Sequence, residues 1–413
     1  MSTLTQEASR PDISCPPGQR IITGPLALVL VVVFGTLTSF YLLLSATPKY
    51  AAEAGTGSAG AGLVTGALLA GTVIAELATS ALMKRHGYRA LLAAGACLLG
   101  IPVLALLYAH GLPVIVAASV VRGFGFGLST VVTGAVIAEL LPSERRGEGI
   151  GLFGVVDMLP AVLGLPAGLW LTEHYGNALV VGMTAAAALL PIAALPWLPR
   201  LGHQRAVAAP QVPAADAPTI GLLAGLRHHG QLRPFLVFAA TTMAAGVVVS
   251  FLPLAVGIAP NIVAAGLLAQ SVTAMFSQWW AGRYGDRHGH TTLLIPGLAM
   301  ASLGMLAMIW LTSPIAVIAA MCIFGAGFGI SQNATFVLMI DRMPPSGLGT
   351  ASALWNLAYD AGYGAGPAGF GLVVSHTGYP AAFVLMGAVV LAALPAAWRE
   401  RAARSTDRTG AGR

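Results

Sequence analysis

Apolar residues along this chain run in blocks of about twenty, cut by short polar segments rich in Arg, Gly and Pro. Neither the alternation of a half-buried strand nor the one-sided stripe of a surface helix dominates. A block of that length is what a helix needs to cross a bilayer. On this scale the sequence predicts twelve spans, at about 21–46, 59–83, 89–109, 113–139, 149–171, 178–198, 233–256, 261–282, 291–311, 314–340, 349–373 and 379–398. The fold class expected is all-α, an integral membrane protein with two bundles of six helices.

The second half repeats the first. Lys84-Arg85-His86-Gly87 returns as Asp286-Arg287-His288-Gly289, an offset of 202. The same offset places Gly123-Phe124-Gly125-Phe126-Gly127-Leu128-Ser129 on Gly325-Ala326-Gly327-Phe328-Gly329-Ile330-Ser331, Glu139 on Asp341, Pro142 on Pro344 and Gly147 on Gly349. A single register across separated segments marks an internal duplication, and a fixed period outranks any local motif. The expected organisation is a tail at 1–20, a six-helix bundle at 21–198, a Pro-containing linker at 199–232, a second bundle at 233–398 and a tail at 399–413.

Composition sharpens the picture. Only 9% of the 413 residues are charged and 56% are apolar, against about 25% charged in a soluble domain. Lipid is therefore the solvent of most of the surface. Basic residues are scattered between spans and form no groove-sized patch, which excludes nucleic acid as a partner. With the amino terminus placed inside, 19 of the 21 basic residues fall on the inner side. Lys49 alone lies outside, and Arg122 is within a span. By the positive-inside rule both termini are expected in the cytoplasm. Arginine outnumbers lysine, and Ala and Gly abound, as in proteins of GC-rich bacteria. The expected location is a bacterial inner membrane, crossed many times. Three cysteines at 15, 97 and 322 offer neither a disulfide framework nor metal spacing. No metal, no cofactor and no catalytic residue is expected, since no ATP-binding, zincin or nucleophile-elbow motif is present.

These residues carry a family resemblance. Gly282-Arg283-Tyr284-Gly285-Asp286-Arg287-His288-Gly289 resembles the signature loop between the second and third helices of each half in the major facilitator superfamily. Arg122 with Gly123, Gly125 and Gly127 resembles its fourth-helix arginine-glycine motif, and Glu139, Pro142, Arg146 and Gly147 the segment that closes that helix. The resemblance covers essentially the whole chain. It implies a secondary transporter in which two pseudo-symmetric halves rock around a midplane site. Two positions depart from the pattern. Lys84 stands where the family usually has aspartate, and Gly164-Leu165-Pro166-Ala167-Gly168 only approximates the Gly-Pro motif of drug–proton antiporters. A cleaner Gly366-Pro367-Ala368-Gly369 lies in helix eleven.

Ionisable groups inside a bilayer cost about 2.5–3.5 kcal/mol each on insertion scales, so the few present are functional candidates. They are Glu76, Arg122, Asp157 and Asp360. Phe126 follows Arg122 at i+4, and Asn356, Asp360 and Tyr363 stand at i, i+4 and i+7 beside an aromatic stripe of Trp355 and Tyr359. Substrate binding or proton coupling is one reading of each; a structural ion pair or hydrogen bond is the other. For Glu76 the expected arrangement is a pair with Arg85 or Arg89 in the inner gate; because helices two and eleven meet across the halves in the family, a seam shared by Glu76 and Asp360 is the alternative. Lys84, Arg85, Glu139, Asp286, Arg287 and Asp341 are expected to form an inner gate of charge pairs. The function expected is proton-coupled export of a small amphipathic molecule by a monomer, with proton-coupled uptake of a metabolite as the alternative.

Overall fold

A computed structural model describes residues 23–108, 111–140, 146–198, 225–226, 230–255, 259–344 and 347–410. Among these every regular element is helical. Helix α1 spans Gly24–Leu44, opened by Thr23, whose hydroxyl accepts from the Leu26 amide at 3.4 Å. One continuous run, Gly57–Leu104, breaks at Gly87 into α2 (57–86) and α3 (88–104). Then follow α4 (Leu112–Leu140), α5 (Arg146–Tyr175) and α6 (Asn177–Leu189). The second half holds α7 (Leu232–Phe251), α8 (Pro260–His288), α9 (Leu294–Ala307), α10 (Pro314–Asp341), α11 (Leu348–Thr377) and α12 (Tyr379–Leu391). A further helix, α13 (Leu394–Gly410), carries the chain through the expected tail. Most of the expected linker, and the whole expected amino-terminal tail, lie outside the described residues.

The duplication is visible in the backbone. Gly87 turns at φ 73° and its partner at offset 202, Gly289, at φ 89°; Gly176 and Gly378 turn at 81° and 75°. These left-handed conformations favour glycine, and here they reverse the chain between successive spans. Packing repeats as well. A Cβ on Gly123 would lie 1.8 Å from the Leu68 carbonyl oxygen, and one on Gly325 would lie 2.3 Å from that of Gln270, the residue 202 positions after Leu68. The glycine runs of α4 and α10 thus let those helices close onto α2 and α8 backbone to backbone.

Ten of the described helices are long and apolar enough to cross a membrane. Of α1 to α12 the two that are not, α5 and α11, carry Asp157 and Asp360. Both pack across the seam, α5 against α8 and α11 against α2, so they have less lipid to face. At the end of the molecule away from the 84–89 and 286–290 loops, the halves touch closely. Ser58 donates to the Gly371 carbonyl at 3.0 Å, the Thr65 and Ser250 hydroxyls are 3.0 Å apart, and a Cβ on Gly62 would lie 2.2 Å from the Pro367 carbonyl oxygen. At that same end Lys49 is neutralised by Glu173.

Candidate functional site at the seam

Asp360 sits halfway along α11 with its side chain buried, at 6% exposure. Glu76 of α2, in the other half, lies beside it, close enough for the two carboxyl groups to share a proton. Carboxylates only accept, so a bond between two carboxyl groups needs one proton held between them. Of the two arrangements considered for Glu76, the structure places it beside Asp360. The expected pair with an arginine is not seen: among the described residues neither Arg85 nor Arg89 makes an ion pair, and Arg89 Nε has no hydrogen-bond partner.

A layer of phenols surrounds the acid pair. Tyr41 of α1 lies beside Tyr359 across the seam. Tyr41 also lies within electrostatic reach of Asp157, Tyr363 and Asp360. Asp157 is half-buried on α5 and completes the cluster. Trp355, Tyr359 and Tyr363, spaced by four, form an aromatic column with ring centroids 6.1 and 5.6 Å apart. Phe238 of α7 stacks on Trp355 at 4.6 Å, and Phe328 of α10 meets Tyr359 at 6.4 Å. The column lines α11 towards the acid pair with apolar faces and polar hydroxyl tips, a surface suited to amphipathic ligands.

Asn356 lies on the helix face of Asp360 and Tyr363, with its side chain exposed where theirs are buried. It stands one turn nearer the basic loops, beyond the part of α11 that packs closely on α2. Arg122 has the hydrogen-bonded of its two arrangements, with no ion pair among the described residues. It is 1% exposed, its Nη2 donates to the Ser39 carbonyl at 3.3 Å, and its Nε has no partner. Beside it Phe126 stacks on Phe40 with centroids 3.7 Å apart, so the α4 face bearing Arg122 and Phe126 meets α1. Among the described residues of the expected inner gate, no ion pair joins the two halves. Asp286 contacts His290 of its own half at 3.4 Å, and Arg85, Arg287 and Asp341 are exposed and in no ion pair among the described residues. The Lys84 and Glu139 side chains lie outside the description.

Two features escaped the sequence reading. Tyr41 was one phenol in an apolar span; its weight comes only from facing α5 and α11. Glu400 lies beyond the last span, yet it is buried and paired with Arg342, with Arg233 at 3.9 Å. Arg342 Nη1 donates to the Gly230 carbonyl at 3.0 Å, and Gln231 to that of Met339 at 2.9 Å. The chain entering α7, the end of α10 and α13 are thereby fastened together.

Two like helical halves in lipid, meeting over a buried polar cluster at mid-depth, define a membrane transporter of the repeat-built kind. The chain belongs to the Major Facilitator Superfamily, whose family model matches residues 29–367 and 235–412. Members of that family are transporters that work by alternating access, and not enzymes. A tetracenomycin C resistance and export protein of Streptomyces glaucescens is 34% identical over 138 residues, which is 32% of this chain and 26% of that protein. The match thus spans about a quarter of that relative's length. Among solved structures, a D-xylose-proton symporter superposes with TM-score 0.71 at 18% identity over 90% of this chain and 96% of its own, and the nucleoside transporter NupG with TM-score 0.72 at 11% identity over 92% and 99%. At those identities the likeness is one of fold.

Proposed function

We propose that this transporter exports small amphipathic molecules in exchange for protons, and that Glu76 and Asp360 carry the proton. One observation supports this most: two carboxyl groups from opposite halves side by side at the seam. A proton taken up from outside while the halves stand apart is held between the two acids once the seam closes, and substrate entering from the cytoplasmic side displaces it. Asp157 and the Tyr41–Tyr359 pair supply further polar groups beside it, and the aromatic column on α11 offers the apolar wall. In this reading the loops at 84–89 and 286–290 face the cytoplasm and the protein is open towards them, consistent with Arg85 and Arg287 making no ion pair among the described residues. Arg122 holds α4 to α1 and is available to an acceptor on the substrate. The bilayer and a small-molecule substrate are the partners, and the protein acts as a monomer in a bacterial inner membrane. The likeness to an export protein favours export, and the likeness to a proton symporter keeps uptake as the second reading.

The test uses protein reconstituted in liposomes that contain a pH-sensitive dye, challenged with a panel of amphipathic solutes. Transported members should produce a proton flux opposite in sign to their own movement. Asp360→Asn should cut that flux at least tenfold while leaving downhill solute exchange. Flux in the same direction as the solute would establish symport. Solute movement with no proton signal in the wild type would end the coupling proposal.

A further inference from the structure

Away from the seam, the outer surface of α8 carries a second pattern. Phe276, Trp279 and Trp280 are all exposed, and the Arg283 guanidinium lies 3.8 Å from the centroid of the Trp279 ring. Trp280 stacks on Tyr284 at 5.0 Å and Tyr284 on His288 at 4.3 Å. Phe276, Trp280, Arg283 and Arg287 advance by four, three and four residues, so they share one face of the helix.

The duplication provides an internal comparison. At offset 202 the residues matching Phe276, Trp279, Trp280, Arg283 and Tyr284 are Ile74, Leu77, Ala78, Ala81 and Leu82. Leu77 is as exposed as Trp279, 58% against 59%. Aliphatic side chains are thus sufficient at this surface for contact with acyl tails. The second half has aromatic rings and a cation there instead, and spanning a bilayer does not require them.

Among the described residues Arg283 makes no ion pair. The nearest acid in sequence, Asp286, contacts His290. The indole face holds the guanidinium by cation–π attraction and leaves its N–H fork free, with a geometry that matches phosphate oxygens. Indole rings at a span end sit at headgroup depth. The anions met there are lipid phosphates, and basic residues near them gain about 1 kcal/mol each, or about fivefold. We propose that Trp279 and Arg283, flanked by Trp280 and Arg287, form a binding site for the headgroup phosphate of an anionic phospholipid. A zwitterionic lipid brings its own cation beside the phosphate, which the two arginines oppose.

The full chain in detergent, titrated with phosphatidylglycerol or phosphatidylcholine and observed by native mass spectrometry, tests this. The wild type should retain phosphatidylglycerol about fivefold better. Arg283→Gln should abolish that preference, and so should Trp279→Leu, which installs the side chain the first half uses at the same place. Arg85→Gln, which removes the repeat counterpart of Arg287, should keep it. Equal retention of the two lipids by the wild type, or an undiminished preference in Arg283→Gln and Trp279→Leu, overturns the site. So does a dimer that Trp279→Leu dissociates, since the face would then belong to a second copy of the chain.

Discussion

At the scale of single residues, the Glu76–Asp360 pair makes a prediction with a definite sign. Two carboxylates side by side repel unless one is protonated, so the state in which the halves meet at this seam takes a proton up. Acid favours that state and alkali opposes it. Glu76→Gln changes the logic, because an amide N–H can donate to Asp360 without any added proton. Spin labels at Tyr108 and Ile315, both exposed at the end away from the basic loops, report the separation of the halves there. In the wild type the mean distance should lengthen as pH rises from about 5 to about 8, across the range where carboxyl groups in unusual environments titrate. In Glu76→Gln it should stay constant. The same pH response in both proteins would mean that another group carries the proton. Scarcity of acids in apolar spans singled out both residues, while their meeting at the seam of helices two and eleven was the alternative to a pair of Glu76 with Arg85 or Arg89. What the sequence left open at Glu76, Arg122 and Asn356 has a physical reason. Helical periodicity gives the face of a residue, while the neighbour that covers the face is set by tertiary packing. Arg122 meets the α1 backbone, and Asn356 lies past the end of the close α2–α11 contact.

At the scale of helices, the seam depends on small residues. Gly62 of α2 meets the Pro367 carbonyl, Gly66 lies 3.2 Å from the Ala368 methyl and Gly364 lies 2.8 Å from the Leu69 Cβ, each measured from an added Cβ. These contacts can form only while the far end is closed. A larger residue at Gly62 should therefore act against one conformation rather than against the fold of either half. Overpacking costs typically about 1–3 kcal/mol, enough to shift a balanced two-state equilibrium about five- to a hundredfold. Gly62→Leu should move the Tyr108–Ile315 distance distribution to the open population at every pH. Gly134→Leu, where an added Cβ has nothing within 4 Å, should leave it as in the wild type. An unchanged distribution in Gly62→Leu would show that α2 and α11 can yield locally and that this contact does not set the state. Span positions and repeat register were legible in the sequence, since apolar block length and glycine placement are local properties. The charge pairs of the inner gate were not, because such pairs depend on how far apart the halves stand at that end.

At the scale of the whole molecule, the geometry requires that the two halves move against each other for transport to occur. The Thr65 and Ser250 hydroxyls, 3.0 Å apart, offer a place to prevent that motion. They join α2 to α7 at the closed end, distant in sequence and on opposite halves, so a covalent bond there fixes the pivot without touching Asp360, Asp157 or the aromatic column. With the native cysteines at 15, 97 and 322 replaced, Thr65→Cys with Ser250→Cys should form a disulfide readily under mild oxidation, since the two sulfurs fall near bonding distance once side chains adjust. The oxidised protein should lose at least nine-tenths of solute exchange in liposomes, because it cannot present the site to the far side. Reduction should restore the exchange in the same sample, which separates a blocked motion from a damaged fold. Single-cysteine controls should transport normally in oxidant. Exchange at the full rate with the disulfide quantitatively formed would mean that solute passes without separation at α2 and α7. The halves would then have to part along α5 and α8 alone.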